Sequence, residues 1–233
     1  MPHVVFLIGE AEYRSERTMP QVAWELVERY GWSVSLLQAK DRQNLPGLEA
    51  LQEADCLVTY LRFRELPPEQ LEPIRAYLDS GRPVVGLRTS THAFRYPEGS
   101  PLAIWNHFGA EVFGTPWRFH YGHESSTVVY LHPEAEGDPI LNGVDYPFVA
   151  RSWLYYVLPL PADCRPLLMG RSVGPSPREE RVPNPVAWVR TTPRRTFYTS
   201  LGHPEDFALP QFRQLLRNGI RWALGESLPP TGA

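Results

Sequence analysis

The sequence predicts a three-layer α/β domain around a mainly parallel central sheet, and three observations carry that expectation. Strand and helix patterns alternate through the first half of the chain. Two strand patterns, Val4–Ile8 and Pro83–Leu87, are apolar without alternation, the signature of strands buried on both faces. An amphipathic helix lies at Pro210–Leu224, with Phe212, Leu215, Leu216, Ile220 and Ala223 on one stripe. With 233 residues, 42% of them apolar, the chain suits one large domain over 1–225 and a loose tail over 226–233.

Taken in order, Val4–Ile8 is the first strand. Residues 19–30 keep a helical period through Val22, Leu26 and Val27. Thr18 stands where an N-cap belongs, Pro20 falls in the first turn, and Gly31 stops the helix. Ser33–Leu37 alternates as a second strand. Leu48–Ala54 is a short helix and Cys56–Leu61 a third strand. Pro67–Leu78 is a helix with prolines in its first turn, closed by Gly81 before the strand Pro83–Leu87. The second half is less regular. It offers a helix at Pro101–Phe108, strands at Thr127–Leu131 and Arg165–Met169, and a helical turn at Pro139–Asn142. The polar stretch Gly170–Pro183 reads as an exposed loop. Val186–Val189 and Thr196–Thr199 read as paired strands turning through Pro193.

Composition excludes several classes of function. A net charge of −3 gives no electrostatic basis for nucleic-acid binding. No run approaches the roughly 18 apolar residues that span a bilayer. The N-terminus lacks the basic region and cleavage site of a signal peptide. Cys56 and Cys164 are too few and too far apart for a disulfide framework, which fits a reducing cytoplasm. Of the 23 basic residues only Lys40 is a lysine, which argues against Schiff-base or lysine phosphate-clamp chemistry. Edge strands and exposed aromatics are compatible with a homodimer.

In a parallel sheet, ligands bind beyond the carboxyl ends of the strands. Four segments lie past such ends: Gly9–Arg17, Arg62–Leu66, Arg88–Tyr96 and Leu201–Phe207. All are rich in charge, hydroxyls or histidine. The junction Gly86-Leu87-Arg88-Thr89-Ser90-Thr91-His92 resembles the strand-to-helix elbow of class I glutamine amidotransferases. There a strained turn presents a nucleophilic cysteine beside backbone oxyanion donors. The matching position here is Arg88, which cannot be a nucleophile. Ser90 and Thr91 lack the small-residue setting of an elbow. Backbone N–H groups at a helix N-terminus remain as an anion or carbonyl site.

Further motifs extend the resemblance over nearly the whole chain. They are Phe6-Leu7-Ile8-Gly9-Glu10-Ala11-Glu12-Tyr13, Pro139-Ile140-Leu141-Asn142-Gly143-Val144, Pro185-Val186-Ala187-Trp188 and Tyr198-Thr199-Ser200-Leu201-Gly202-His203-Pro204-Glu205-Asp206-Phe207. On these the chain resembles the ThuA-like (trehalose utilisation) family, a branch of the amidotransferase-like superfamily. The Arg-Thr-Ser-Thr-His elbow differs from the simpler Gly-Leu-His of many relatives and marks a distinct subgroup. The resemblance implies a flavodoxin-like sheet and a role in sugar metabolism, including the processing of keto-disaccharides or glycosides.

Several side chains on these segments are candidates for a site. His203 is a candidate general acid or base, with Glu205 orienting its other nitrogen and Asp206 beside it; a helix-capping or core histidine is the alternative. His92 lies one turn past the elbow, where it either points back toward His203 or packs on Phe94 and Tyr96. His123 either contacts substrate or joins His120 as a His-x-x-His pair. With His92 and His203 these form an alternative divalent-metal site; no other cofactor is indicated. Arg62, Arg64 and Arg88 suit a carboxylate, a phosphate or sugar hydroxyls, or else form salt bridges with Glu10, Glu12 and Glu65. Glu10, Tyr13, Thr89, Thr91, Arg151 and Tyr155 complete the substrate-binding set, Trp153 and Tyr155 being equally consistent with core. The reading this supports is acid–base chemistry on a small carbohydrate. A non-catalytic sugar-binding or interaction module and a metal-assisted hydrolase are the alternatives.

Overall fold

The structure, a computed structural model, describes residues 1–176 and 180–229. Strand β1 (His3–Gly9) leads into helix α1 (Ser15–Tyr30), and β2 (Ser33–Gln38), β3 (Cys56–Leu61), α2 (Pro68–Asp79) and β4 (Val84–Leu87) come after it. Then come α3 (Phe108–Phe113), β5 (Phe119–His120), β6 (Ser126–Leu131), β7 (Phe148–Ala150) and β8 (Tyr155–Tyr156). The chain continues through β9 (Arg165–Val173), β10 (Asn184–Arg190), β11 (Thr196–Thr199) and α4 (Pro210–Ala223).

The main sheet runs β2-β1-β3-β4-β11-β10-β9-β6-β7. From β2 to β11 every pairing is parallel, which is the parallel core expected from the sequence. Beyond β11 the pairings are antiparallel, three of them between strands consecutive in the chain and one, β6 with β9, between more distant ones. β5 and β8 form a separate two-stranded ribbon. The inner parallel strands are buried on both faces, as their continuous apolar runs require: all of β3, β4 and β11 is buried, while the edge strand β2 is largely exposed.

Adjacent residues of β11 show the three layers directly, since successive side chains point to opposite faces. Phe197 faces α4, where a Cβ on Gly219 would lie 2.5 Å from its ring. Tyr198 faces α3, its ring 5.1 Å from that of Phe113. The same Phe113 ring presses on β4 at Gly86, where no Cβ would fit. Glu25 of α1 binds both Arg213 and Arg217 of α4, the latter at 2.6 Å, and so joins two helices of one layer. Asn218 of α4 donates to the carbonyls of Ile140 and Asn142 at 2.9 and 2.8 Å, which gives the Pro139–Asn142 motif its structural role.

Several boundaries differ from expectation for local reasons. α1 starts at Ser15 rather than after Thr18. The Ser15 hydroxyl donates to the Glu10 carbonyl and accepts from the Glu10 amide, which fixes an earlier turn. Leu48–Gln52 and Ala103–His107 are 3-10 turns, the second running into α3. β9 continues to Val173, so the first residues of the expected Gly170–Pro183 loop are strand; 177–179 of that loop lie outside the described residues. Of the tail, Glu226 pairs with Arg221 at 2.7 Å and Leu228 packs against the core, while 230–233 lie outside the described residues. Among the described residues no helix is long and apolar enough to cross a membrane.

Candidate active site

The elbow keeps its strained geometry. Arg88 comes directly after β4 with φ +43°, a left-handed conformation that costs a non-glycine residue roughly 1–2 kcal/mol. Three contacts fix it. Tyr198 Oη donates to the Arg88 carbonyl at 2.5 Å, Thr91 Oγ1 donates to the same oxygen at 3.3 Å, and Ser90 Oγ donates to the Thr59 carbonyl at 2.6 Å. The chain then forms a five-residue 3-10 turn, Arg88–His92, rather than an α-helix. The segment expected to open a helix is thus a short 3-10 turn, and Thr91 is buried in it with its hydroxyl on the Arg88 carbonyl.

The Arg88 side chain is fully buried. Nη1 donates to the Ser200 carbonyl at 2.9 Å and Nη2 to Tyr13 Oη at 3.1 Å. Its guanidinium carbon lies 4.3, 5.0 and 4.6 Å from the ring centres of Tyr13, Trp153 and Tyr155. The guanidinium is thus held in an aromatic cage, where cation–π attraction and carbonyl acceptors replace a carboxylate partner. In this structure the guanidinium is fully enclosed by these partners. Tyr13 and Tyr155 are its walls.

On the far side of the cage stands His203, with its ring 6.2 Å from Tyr13 and 5.9 Å from Trp153. His203 Nδ1 accepts the Glu205 amide at 3.3 Å, so the neutral ring carries its proton on Nε2. Burial lowers its pKa, as do the charges of Arg88 and Arg151, while Asp206 and Glu205 act in the opposite direction. Glu205 does not orient the ring as expected. Its carboxylate is 3.9 Å away and largely exposed. The organising acid is Asp206, fully buried, which accepts from Ser152 Oγ at 2.5 Å and from the amides of Arg151, Gly202 and His203 at 2.7, 3.0 and 3.1 Å. With both oxygens so engaged, Asp206 positions the loop.

His92 packs among Phe63, Trp117 and Tyr155 with ring separations of 5.2, 5.1 and 6.1 Å. It shares no ring contact with His203. Burial, aided by Arg62 and Arg88, pushes its pKa down to about 3, so it is neutral at physiological pH. His123 stacks on Trp153, 4.7 Å apart and within 7° of parallel, with its Nε2 3.1 Å from His120 Nε2. Arg151 is a clamp on that loop: Nη1 donates to the Ser125 carbonyl at 2.8 Å and Nη2 to the His123 carbonyl at 3.1 Å.

Glu10, just past the end of β1, is buried; Oε1 accepts the amides of Glu12 and Tyr13 at 2.6 and 3.3 Å. Oε2 lies 4.0 Å from Arg62 Nε without a hydrogen-bond partner among the described residues, and the neighbouring Thr89 hydroxyl has none there either. Burial raises the Glu10 pKa against the lowering effect of Arg62. Arg62 also pairs with Glu12. Arg64 departs from this group. It donates to the carbonyls of Arg62 and Asp41 at 2.8 and 2.9 Å and lines a cleft of about 350 Å³ with Glu10, Lys40 and Arg42. Among the described residues no group of three or more His, Cys, Asp or Glu side chains is placed to hold a metal ion.

Trp117 and Trp153 were underestimated by sequence reasoning. Both present buried indole N–H groups without a hydrogen-bond partner among the described residues, and they form the wall between the histidines. The only signal was the aromatic density of Trp117–Tyr121, which a core explains equally well. Ser152 gave no signal.

A parallel sheet ordered β2-β1-β3-β4-β11, an elbow after β4 and a histidine after β11 define a protein of class I amidotransferase-like layout with arginine in the nucleophile's place. The ThuA family model, described as trehalose utilisation, matches residues 3–223, and the chain belongs to that family. Solved structures agree on the fold. A ThuA-like protein from Parabacteroides merdae is 16% identical, with TM-score 0.71, over 99% of this chain and 95% of that one. A ThuA-like protein from Bacteroides uniformis is 18% identical, with TM-score 0.68, over 96% and 91%. No curated protein matches the chain.

Proposed function

We propose that this protein is an enzyme of carbohydrate metabolism that acts on a sugar or keto-glycoside by acid–base chemistry, without a covalent nucleophile and without glutaminase activity. The observation that carries the reading is the replacement of the elbow nucleophile by a caged Arg88, next to a histidine with one nitrogen left for a ligand. Both cysteines lie elsewhere, in β3 and before β9, with their thiols raised by burial, so no thiolate serves a thioester route.

The side chains divide the work. His203 presents Nε2–H to a carbonyl or hydroxyl oxygen and stabilises negative charge developing there. Glu10, a buried carboxylate whose Oε2 faces Arg62 at 4.0 Å without a hydrogen bond among the described residues, suits the acceptor of a proton from carbon or oxygen. The C–H beside a sugar ketone is acidified, so its abstraction requires only such a donor and acceptor. Trp153, Trp117 and Tyr155 supply flat faces suited to sugar C–H surfaces. Neutral His92 adds a hydrogen-bonding edge, as does the ring of His123. The family's description as trehalose utilisation favours a disaccharide or glucoside over other polyols.

Trp153 makes binding observable. Titration with trehalose and with a 3-keto-glucoside is expected to change tryptophan fluorescence saturably for the keto sugar, and Trp153→Phe removes most of that change. No saturable response to either sugar contradicts the reading.

A further inference from the structure

His120 and His123 face each other through the same ring nitrogen and share one proton in a hydrogen bond, which a metal ion held between the two rings would displace. Their Nε2 atoms are 3.1 Å apart. With metal–nitrogen bonds of about 2.0–2.1 Å, that spacing subtends a ligand–metal–ligand angle of about 98°, between the octahedral and tetrahedral values. We propose that these two imidazoles chelate a divalent transition-metal ion, such as Zn²⁺, Ni²⁺ or Cu²⁺, at the mouth of the aromatic cage. The proposal stands apart from the sugar reading and does not need it.

The frame around the pair is rigid. His120 belongs to β5 and is paired with Tyr155 of β8. The Tyr121 amide donates to the Leu154 carbonyl at 3.1 Å. Arg151 grips the loop through the carbonyls of His123 and Ser125, and its own amide is anchored on Asp206. The Trp153 ring stacks under His123 and fixes its plane. Both histidines therefore reach the chelating arrangement before any ion arrives, which removes the ordering cost of binding.

Imidazole nitrogen selects zinc, nickel and copper over magnesium and calcium, which take oxygen. Two imidazoles do not complete the coordination of such an ion, and water or two adjacent oxygens of a diol or hydroxyketone are suitable further ligands. Arg151 and Arg88, at 5.9 and 5.0 Å from the Trp153 ring, place positive charge nearby and hold the affinity below that of a closed four-ligand site.

The test uses the full chain, stripped with chelator. Calorimetric titration with Ni²⁺ is expected to give one site per chain, weakened at least about tenfold in His120→Asn and in His123→Asn and unchanged in the exposed control His107→Asn. Cu²⁺ bound to the wild-type chain is expected to show an electron-resonance spectrum split by two nitrogens, a readout that requires no variant to fold. Absence of a site, binding unchanged in both variants, or a spectrum without two-nitrogen splitting overturns the proposal. None of these readouts involves sugar, so their failure leaves the sugar reading intact.

Discussion

Ser152 Oγ donates to Asp206 Oδ2 at 2.5 Å, and this contact ties the β7–β8 connection to the histidine loop after β11. The same carboxylate gathers the amides of Gly202 and His203. Asp206→Ala leaves several buried donors unpaired and is expected to cost about 2–4 kcal/mol, with Asp206→Asn milder but still measurable. Urea unfolding of both variants checks the ranking. Loss of activity under conditions where Asp206→Asn remains folded shows that the loop's position, and not stability alone, is set here.

Arg88 is expected to be irreplaceable by lysine. The ammonium cannot span the Ser200 carbonyl, the Tyr13 phenol and three ring faces at once. Arg88→Met orphans the carbonyl acceptor and is expected to cost about 2–4 kcal/mol. Chemical denaturation measures it, and a neutral result for both variants refutes the cage as a structural unit.

His92 gives stability a pH dependence. Its folded pKa, about 3, lies below the ordinary value of 6.5. The unfolded chain therefore takes up the proton first, and the contribution is full above about pH 6.5 and declines as pH falls toward 3. By pH 4.5 the loss is about 2–3 kcal/mol. Glu10, raised by burial, contributes with the opposite sign around its own titration. Denaturation midpoints across pH 7.5 to 4.5 are expected to fall for the wild type and to flatten in His92→Phe.

The parallel core was legible because its signals are local. Runs such as Val4–Ile8 and Cys56–Leu61 need no distant partner to read as buried strands, and the elbow and Leu201-Gly202-His203 fall directly after such runs. The antiparallel extension was less legible. β7 and β8 are three and two residues long, too short for a periodic pattern. Roles within the site were harder still. Nothing local distinguishes Asp206, buried under five donors, from exposed Glu205 one residue away. Arg88 in a cage reads like any arginine at a strand end. Trp153 looked like core and is core, yet its second face carries His123 and Arg88.

Packing at the elbow is testable without substrate. A Cβ at Gly86 collides with the Phe113 ring, so Gly86→Ala is expected to cost about 1–3 kcal/mol, with partial recovery in the double variant Gly86→Ala/Phe113→Leu. A double variant no better than the single would place the fault elsewhere.

The most direct test of the acid–base account is proton exchange in heavy water. The protein is incubated with a 3-keto-glucoside in D₂O, and deuterium entering the carbon beside the carbonyl is followed by NMR. The account predicts enzyme-dependent exchange well above the uncatalysed rate, abolished in Glu10→Gln and reduced at least about a hundredfold in folded His203→Ala. Exchange no faster than in buffer, or undiminished in both variants, would contradict it.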